Sequence, residues 1–222
     1  MLSTARLTAV LKRTTLFKGL SARDLDLLAR VAVQRRYERS RFICHAGDPA
    51  REVFVVLDGR VSVSRSGWSG SRRSVEFMVP GDAFGLPALA ALVYPNEIQA
   101  RTATTVAALP KRDIEALMLL VPSLAQAVFA HMAERLHFVE TMLLLSGAPV
   151  ERKLSAALVY LHAKFGADIP LSRAELAEMA GVAPETAMRE LRRFETAGWV
   201  RRRTGGVKIR DAVALRRAAV DL

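Results

Sequence analysis

The chain has 222 residues, 51% of them apolar, which suits two small domains, each with its own core. Its formal net charge is +11, with residues 149–222 holding 14 Lys and Arg against 9 Asp and Glu and the remainder 19 against 13; this favours a polyanionic partner without locating it. A single cysteine, Cys44, excludes an intrachain disulfide framework and a four-thiolate iron–sulfur cluster built from one chain, and the longest apolar runs fall short of the roughly 20 residues of a membrane helix.

The opening stretch, MLSTARLTAVLKRTTLFKGL, mixes Lys and Arg through weakly apolar sequence and lacks the h-region of a secretory signal, so the expectation is a cytoplasmic protein without a membrane partner. LFKGLSARDLDLLARVA spaces Leu20, Leu25, Leu28 and Val31 as a helix, with Ser21 placed to cap it. From Tyr37 to Pro110 the texture changes to short apolar or alternating runs (RFIC, EVFVVL, RVSVSR, SVEFMV, TVAALP) separated by Gly47-Asp48, Asp58-Gly59, GWSGS and Gly81-Asp82, which predicts an antiparallel β-barrel or roll. GWSGS lacks the P-loop lysine spacing and reads as a hairpin loop. Within the roll, PGDAFGLPALAALVYPNEIQART (residues 80–102) reads as a Gly-rich turn, a short apolar helix and a strand, the rim of a small-molecule pocket.

From Arg112 the period becomes helical, and no Gly or Pro lies between Pro122 and Ser146. Phe129, Met132, Leu136, Val139 and Leu143 step by 3 and 4 alternately, the seam of a helix that pairs with a second copy of itself. SGAP (residues 146–149) breaks the helix. The expected division is therefore a sensor domain over residues 1–121, a dimerisation helix over 122–146 and a third domain over 147–222. That last part reads as three helices and a hairpin turning near Gly205-Gly206.

LSRAELAEMAGVAPETAMRELRRFETAGWV carries the most specific signal. Ser172 and Glu175 form a capping box, Ala177 lets two helices approach, Gly181 permits the turn, Val182 anchors it, and Leu191 and Phe194 bury the second helix. This is a helix-turn-helix followed by a wing. Glu185 and Arg189 lie one turn apart near the start of the second helix, where a recognition helix meets base edges; Arg can fork onto guanine while a carboxylate accepts from cytosine. Ser172, Thr186, Arg192, Arg193, Arg201, Arg202 and Arg203 are the further DNA-contact candidates, with phosphates as the expected partners of the arginines. For Thr186 a helix-capping role is the alternative.

The order roll, long helix, hinge and winged helix-turn-helix resembles the CRP/FNR family of bacterial transcription regulators over nearly the whole chain. FICHAGDPAREVFVVLDGRVSVS is similar to the family's Gly-Asp/Glu turn and strand-Gly-strand signature, PGDAFG to its phosphate-cassette entrance, and PETAMREL to its recognition helix. The resemblance implies an α+β fold with an N-terminal cyclic-nucleotide-binding-like β-roll, a dimerisation helix and a C-terminal winged helix-turn-helix. It also implies a homodimer on a palindromic promoter site, with half-sites about 34 Å apart, and RNA polymerase as a further partner. Glu185 and Arg189 fall on the family's base-reading Glu and Arg, whereas Pro184 and Met188 stand where its branches place a third contact.

The same resemblance locates an effector pocket at Phe84, Gly85, Leu86, Tyr94, Pro95 and Val139, and there the sequence departs from the cyclic-AMP pattern. Leu86 stands in place of the ribose-binding Glu, Tyr94-Pro95 in place of the phosphate-binding Arg-Ser, and Val139-Glu140 near the adenine-binding hydroxyls. A buried phosphate without a guanidinium loses charge-assisted hydrogen bonds, and Pro95 removes an amide donor. Arg101, in QARTAT, reads as an outward strand residue. The readings left open are a pocket filled by its own side chains, an apolar ligand, a nucleotide bound elsewhere, and haem on His45, His131, His137, His162 or Cys44. No metal site or cofactor is predicted, and no nucleophile, HExxH or Walker motif suggests an enzyme. A sensor module whose tail engages protein instead of DNA is the reading from another class.

Overall fold

The computed structural model describes residues 2–66 and 72–220; the GWSGS loop, residues 67–71, lies outside them. Helix α1 (Thr4–Arg13) begins at Ser3, whose hydroxyl accepts from the Arg6 amide, and α2 (Ala22–Val31) begins at a reciprocal Ser21/Asp24 capping box. Leu20, Leu25 and Leu28 are buried as their spacing predicts, but Val31 is exposed. The inward stripe runs instead through Leu28, Ala29 and Ala32, because a 3.6-residue turn drifts away from Val31 at the helix end.

Eight strands follow: β1 (Val33–Tyr37), β2 (Phe42–Cys44), β3 (Glu52–Asp58), β4 (Val61–Ser66), β5 (Arg72–Met78), β6 (Ala83–Phe84), β7 (Glu97–Ala100) and β8 (Thr104–Pro110). They form two four-stranded sheets, ordered β1-β8-β3-β6 and β2-β7-β4-β5, with antiparallel registers for β1/β8, β8/β3, β3/β6, β2/β7 and β7/β4. The sequence pattern missed β1, whose VQRRY has no alternation of apolar residues; it is an edge strand, where arginines are tolerated.

Strand β3 is buried on both faces. Val53 and Val55, opposite Leu109 and Ala107 of β8, join Leu7, Leu25 and Ile114 in one cluster, while Phe54 and Val56 face the other way into the roll. The helix expected inside residues 80–102 is a single 3₁₀ turn, Leu86–Leu89.

Helices α3 (Lys111–Leu120) and α4 (Pro122–Leu144) follow. The contacts divide the chain into two compact units with the main boundary at Glu134/Arg135, inside α4 and not at either of its ends. The second unit continues through α5 (Val150–Phe165), β9 (Asp168–Ile169), α6 (Arg173–Ala180), α7 (Pro184–Thr196), β10 (Val200–Arg203), β11 (Gly206–Ile209) and α8 (Ala212–Val220). Leu154, Leu158, Leu176, Leu191, Phe194 and Leu215 fill its core. Helix α8 and strand β9 add to the predicted three helices and hairpin. The signal for α8 was Asp211, whose carboxylate accepts from the Ala214 amide as a cap.

Candidate nucleic-acid interface and sensor pocket

The helix-turn-helix is built as its residues dictate. Ser172 accepts from the Glu175 amide at 3.3 Å and Glu175 accepts from the Ser172 amide at 2.7 Å, so α6 starts on a complete capping box. It ends at Gly181 in the left-handed region, φ 63°, and Ala177 of α6 is buried, as are Ala187 and Leu191 of α7, which packs on α6. Helix α7 starts at Ala183 with Pro184 in its first position and no side-chain cap. The capping role for Thr186 is therefore set aside, since the residue lies inside the first turn and is half-buried.

Glu185 and Arg189 are both exposed, and among the described residues neither is held in an ion pair. Buried Ala187, Glu190, Leu191 and Phe194 occupy the opposite side of α7, leaving Glu185, Arg189 and Arg192 as one outward stripe. Arg193 is drawn aside by Glu190, whose two oxygens each lie 3.0 Å from its guanidinium. An open cleft of about 640 Å³ runs beside this helix, lined by Glu151, Arg189, Arg192, Arg193, Thr196 and Trp199.

The wing's arginine run is split by the pleat. In β10, Val200 and Arg202 face the same side as Ile209 and Val207, their partners in β11, whereas Arg201 lies opposite Lys208 on the other face. Arg203 shares that second face and meets Asp168 of β9 at 3.2 Å. Arg202 turns toward α7, where Glu195 accepts from its backbone amide at 3.0 Å and from its Nε. These bonds to the Arg202 amide and guanidinium hold the Glu195 carboxyl below the usual carboxylate range. Instead of three equivalent arginines, the strand presents Arg201, with Lys208 beside it, and two arginines engaged by acids. Lys208 escaped the sequence reading because its alignment with Arg201 depends on hairpin register. That register is tight: a Cβ on Gly206 would meet the Ile169 carbonyl oxygen at 2.4 Å.

In the roll, the residues expected to line a pocket are largely buried among themselves. Phe54 and Phe84 stack with centroids 5.1 Å apart, and Tyr94 closes on Phe54 at 6.2 Å. Leu86 and Tyr94 are 4% and 5% exposed, values of core residues. The Tyr94 hydroxyl donates to the Glu52 carbonyl at 2.7 Å and accepts from the Glu52 amide at 3.1 Å. Burial pushes its pKa up to about 12. Gly85 packs against the Phe54 ring, while Pro95 is exposed and Val139 lies in the second unit, 44% exposed. Arg101 is not an outward strand residue: it follows β7, is half-buried, and its guanidinium sits 5.7 Å from the Phe77 ring centroid.

Four of the five residues expected to form a seam are exposed on the long helix. Phe129, Leu136, Val139 and Leu143 are 71%, 58%, 44% and 71% exposed, an apolar row on a helix whose inward face uses Leu124, Val128 and Phe138. Met132 departs from that row and packs against the first unit's core. Of the candidate axial ligands, His45 and His137 are exposed and His131 and His162 half-buried. Cys44 is buried, with its thiol pushed up to about 12 by desolvation. Among the described residues no three His, Cys, Asp or Glu side chains cluster as metal ligands, and no single helix is long and apolar enough to cross a membrane.

Two families match this chain in the order the fold requires: the Cyclic nucleotide-binding domain over residues 34–119 and the Crp-like helix-turn-helix domain over residues 152–218. The chain belongs to the CRP/FNR family. It is 29% identical over 221 residues to the Cyclic AMP receptor protein of Thermus thermophilus, covering 96% of this chain and 100% of that one. It is 26% identical over 207 residues to the Transcriptional activator protein FnrA of Stutzerimonas stutzeri, covering 89% and 85%. The fold is shared with FixK2 of Bradyrhizobium japonicum at a TM-score of 0.73 and 22% identity, over 86% of this chain and 99% of that one. As a CRP/FNR protein it is a transcription regulator with a helix-turn-helix DNA-binding domain.

Proposed function

We propose that this CRP/FNR protein is a cytoplasmic homodimer that reads a palindromic promoter site through Glu185 and Arg189 and engages RNA polymerase there, and that its sensor domain does not respond to cyclic AMP. The observation that carries the DNA reading is the outward Glu185/Arg189/Arg192 stripe on a recognition helix whose other side is buried. Arg189 supplies the fork for guanine, Glu185 the acceptor for cytosine, and Arg192 and Arg201 the phosphate contacts. The exposed row Phe129, Leu136, Val139 and Leu143 supports pairing of two α4 helices, which would set two recognition helices about one helical turn of DNA apart.

The sensor reading rests on Leu86 and Tyr94. A cyclic nucleotide held in the family's manner needs an anion site at Tyr94-Pro95 and a ribose acceptor at Leu86; this chain supplies a hydroxyl already bonded twice to the Glu52 backbone and an alkyl group. Both polar capacities of the Tyr94 hydroxyl are thus engaged, and admitting a phosphate would expose a core side chain to a charge with no guanidinium to meet it. The likeness to a cyclic AMP receptor protein supports the frame of the pocket, and these side chains argue for a pocket filled from within. The test is operator affinity and thermal unfolding of the purified dimer with and without millimolar cyclic AMP: neither changes under this reading. Tighter operator binding on adding the nucleotide would refute it, and a coloured, haem-loaded protein from gentle purification would replace it with a haem sensor.

A further inference from the structure

Strand β10 is the free edge of the sheet β10-β11-β9, so the amides that it turns away from β11 have no strand partner. The Arg202 amide is one of these, and it donates to Glu195 in the last turn of α7 at 3.0 Å. The same carboxylate takes the Arg202 Nε with its other oxygen. One acidic side chain therefore holds the backbone and the side chain of a single wing residue, joining the recognition helix to the wing across the turn at Gly198. Arg202 sits on the face shared with Val200 and Val207, and its partner Glu195 is itself half-buried. Were Arg202 a phosphate ligand, its exposed guanidinium would have to give up the Nε contact with Glu195 and turn from the face it shares with Val200 and Val207, while the backbone amide stayed bonded.

We propose that Glu195 is a positioning residue that sets the wing against the recognition helix, and that Arg202 is its tether and not a phosphate ligand. The phosphate contacts of the wing then fall to the opposite face, where Arg201 lies beside Lys208. Arg203 is shared with Asp168 of β9 and anchors the far side of the same sheet. The inference rests on DNA binding by α7, and its failure is separable from failure of that reading. Loss of base discrimination in Arg189→Ala tests the helix, and the salt dependence of wing variants tests the clamp.

The experiment uses the full-length dimer on its operator and on a scrambled duplex, titrated at several salt concentrations. Each phosphate contact adds about 0.9 to the slope of log K against log salt. Arg201→Gln is expected to lower that slope by about one contact. Glu195→Gln and Arg202→Gln are expected to leave the slope unchanged and to weaken operator binding by roughly two- to fivefold, the range of a well-formed exposed pair. The double variant is expected to be no weaker than either single one. Amide exchange at Arg202 should quicken in Glu195→Gln while the amides of α7 stay protected, which separates a loosened wing from an unfolded domain. A lower slope in Arg202→Gln, or tighter binding in Glu195→Gln as the arginine is released to DNA, would overturn the proposal. So would parent-like operator affinity in Glu195→Gln.

Discussion

The two units of this protein treat their functional positions in opposite ways. In the DNA-binding unit Glu185, Arg189 and Arg192 stand exposed on a helix anchored by Leu191 and Phe194. In the sensor unit Phe84, Leu86 and Tyr94, at the positions where the sequence resemblance implies an effector pocket, are buried, and the Tyr94 hydroxyl is bonded to the Glu52 backbone. The same family frame thus carries exposed charged residues at one set of expected site positions and buried apolar and aromatic residues at the other.

The comparison breaks most sharply at Phe84. If the aromatic stack is core, Phe84→Ala removes a ring that is 2% exposed and costs about 3–5 kcal/mol in denaturant unfolding of the sensor unit, whereas a ligand-lining ring would cost far less. Next is Arg189→Ala, expected to lose about 1–3 kcal/mol of discrimination between operator and a half-site variant in competition at matched salt, with the melting temperature unchanged. Parent-like discrimination there would remove Arg189 from the reading face.

Tyr94→Phe is smaller. It deletes the hydroxyl bonded to both Glu52 backbone groups while keeping the ring, and should destabilise the sensor unit by about 0.5–1.5 kcal/mol with operator affinity unaltered. A gain of cyclic-AMP response in that variant would mean that the hydroxyl, not the packing, closes the pocket.

A further test is with pH. Cys44 and Tyr94 both carry pKa values raised to about 12 in the folded protein. For such acids the unfolded chain ionises first, so their contribution is fully present below the unfolded pKa and is lost as pH rises toward 12. Stability should therefore fall between about pH 9 and 12, less steeply in Cys44→Ala, and the Cys44 thiol should stay unreactive toward a thiol reagent at pH 8 until the protein is unfolded. Rapid labelling of the native protein would show that Cys44 is not core.

Much of this was legible in the residues. The capping box at Ser172 and Glu175, the turn at Gly181, the strands around Gly59 and the exposed apolar row on α4 follow from short-range chemistry, since caps, turns and helical periods are set within a few residues. The failures have a different cause. Strand β1 and the two-residue β6 and β9 exist because neighbours supply their hydrogen bonds, and β1 carries no alternation because it lies at an edge. Met132 fits the seam by spacing but packs inward with Val128, a choice made by what stands beside the helix.

The sequence by itself determined the family, the order of the elements and the helix-turn-helix, because periodicity, caps and motif spacing are local. Only the tertiary structure decided what Tyr94 and the wing arginines do. Their roles depend on groups far along the chain, 42 residues away at Glu52 for Tyr94 and 35 at Asp168 for Arg203, or on strand register for Arg202. A carboxylate or a backbone pair brought up by folding converts an apparent ligand into a tether, and no spacing rule records it.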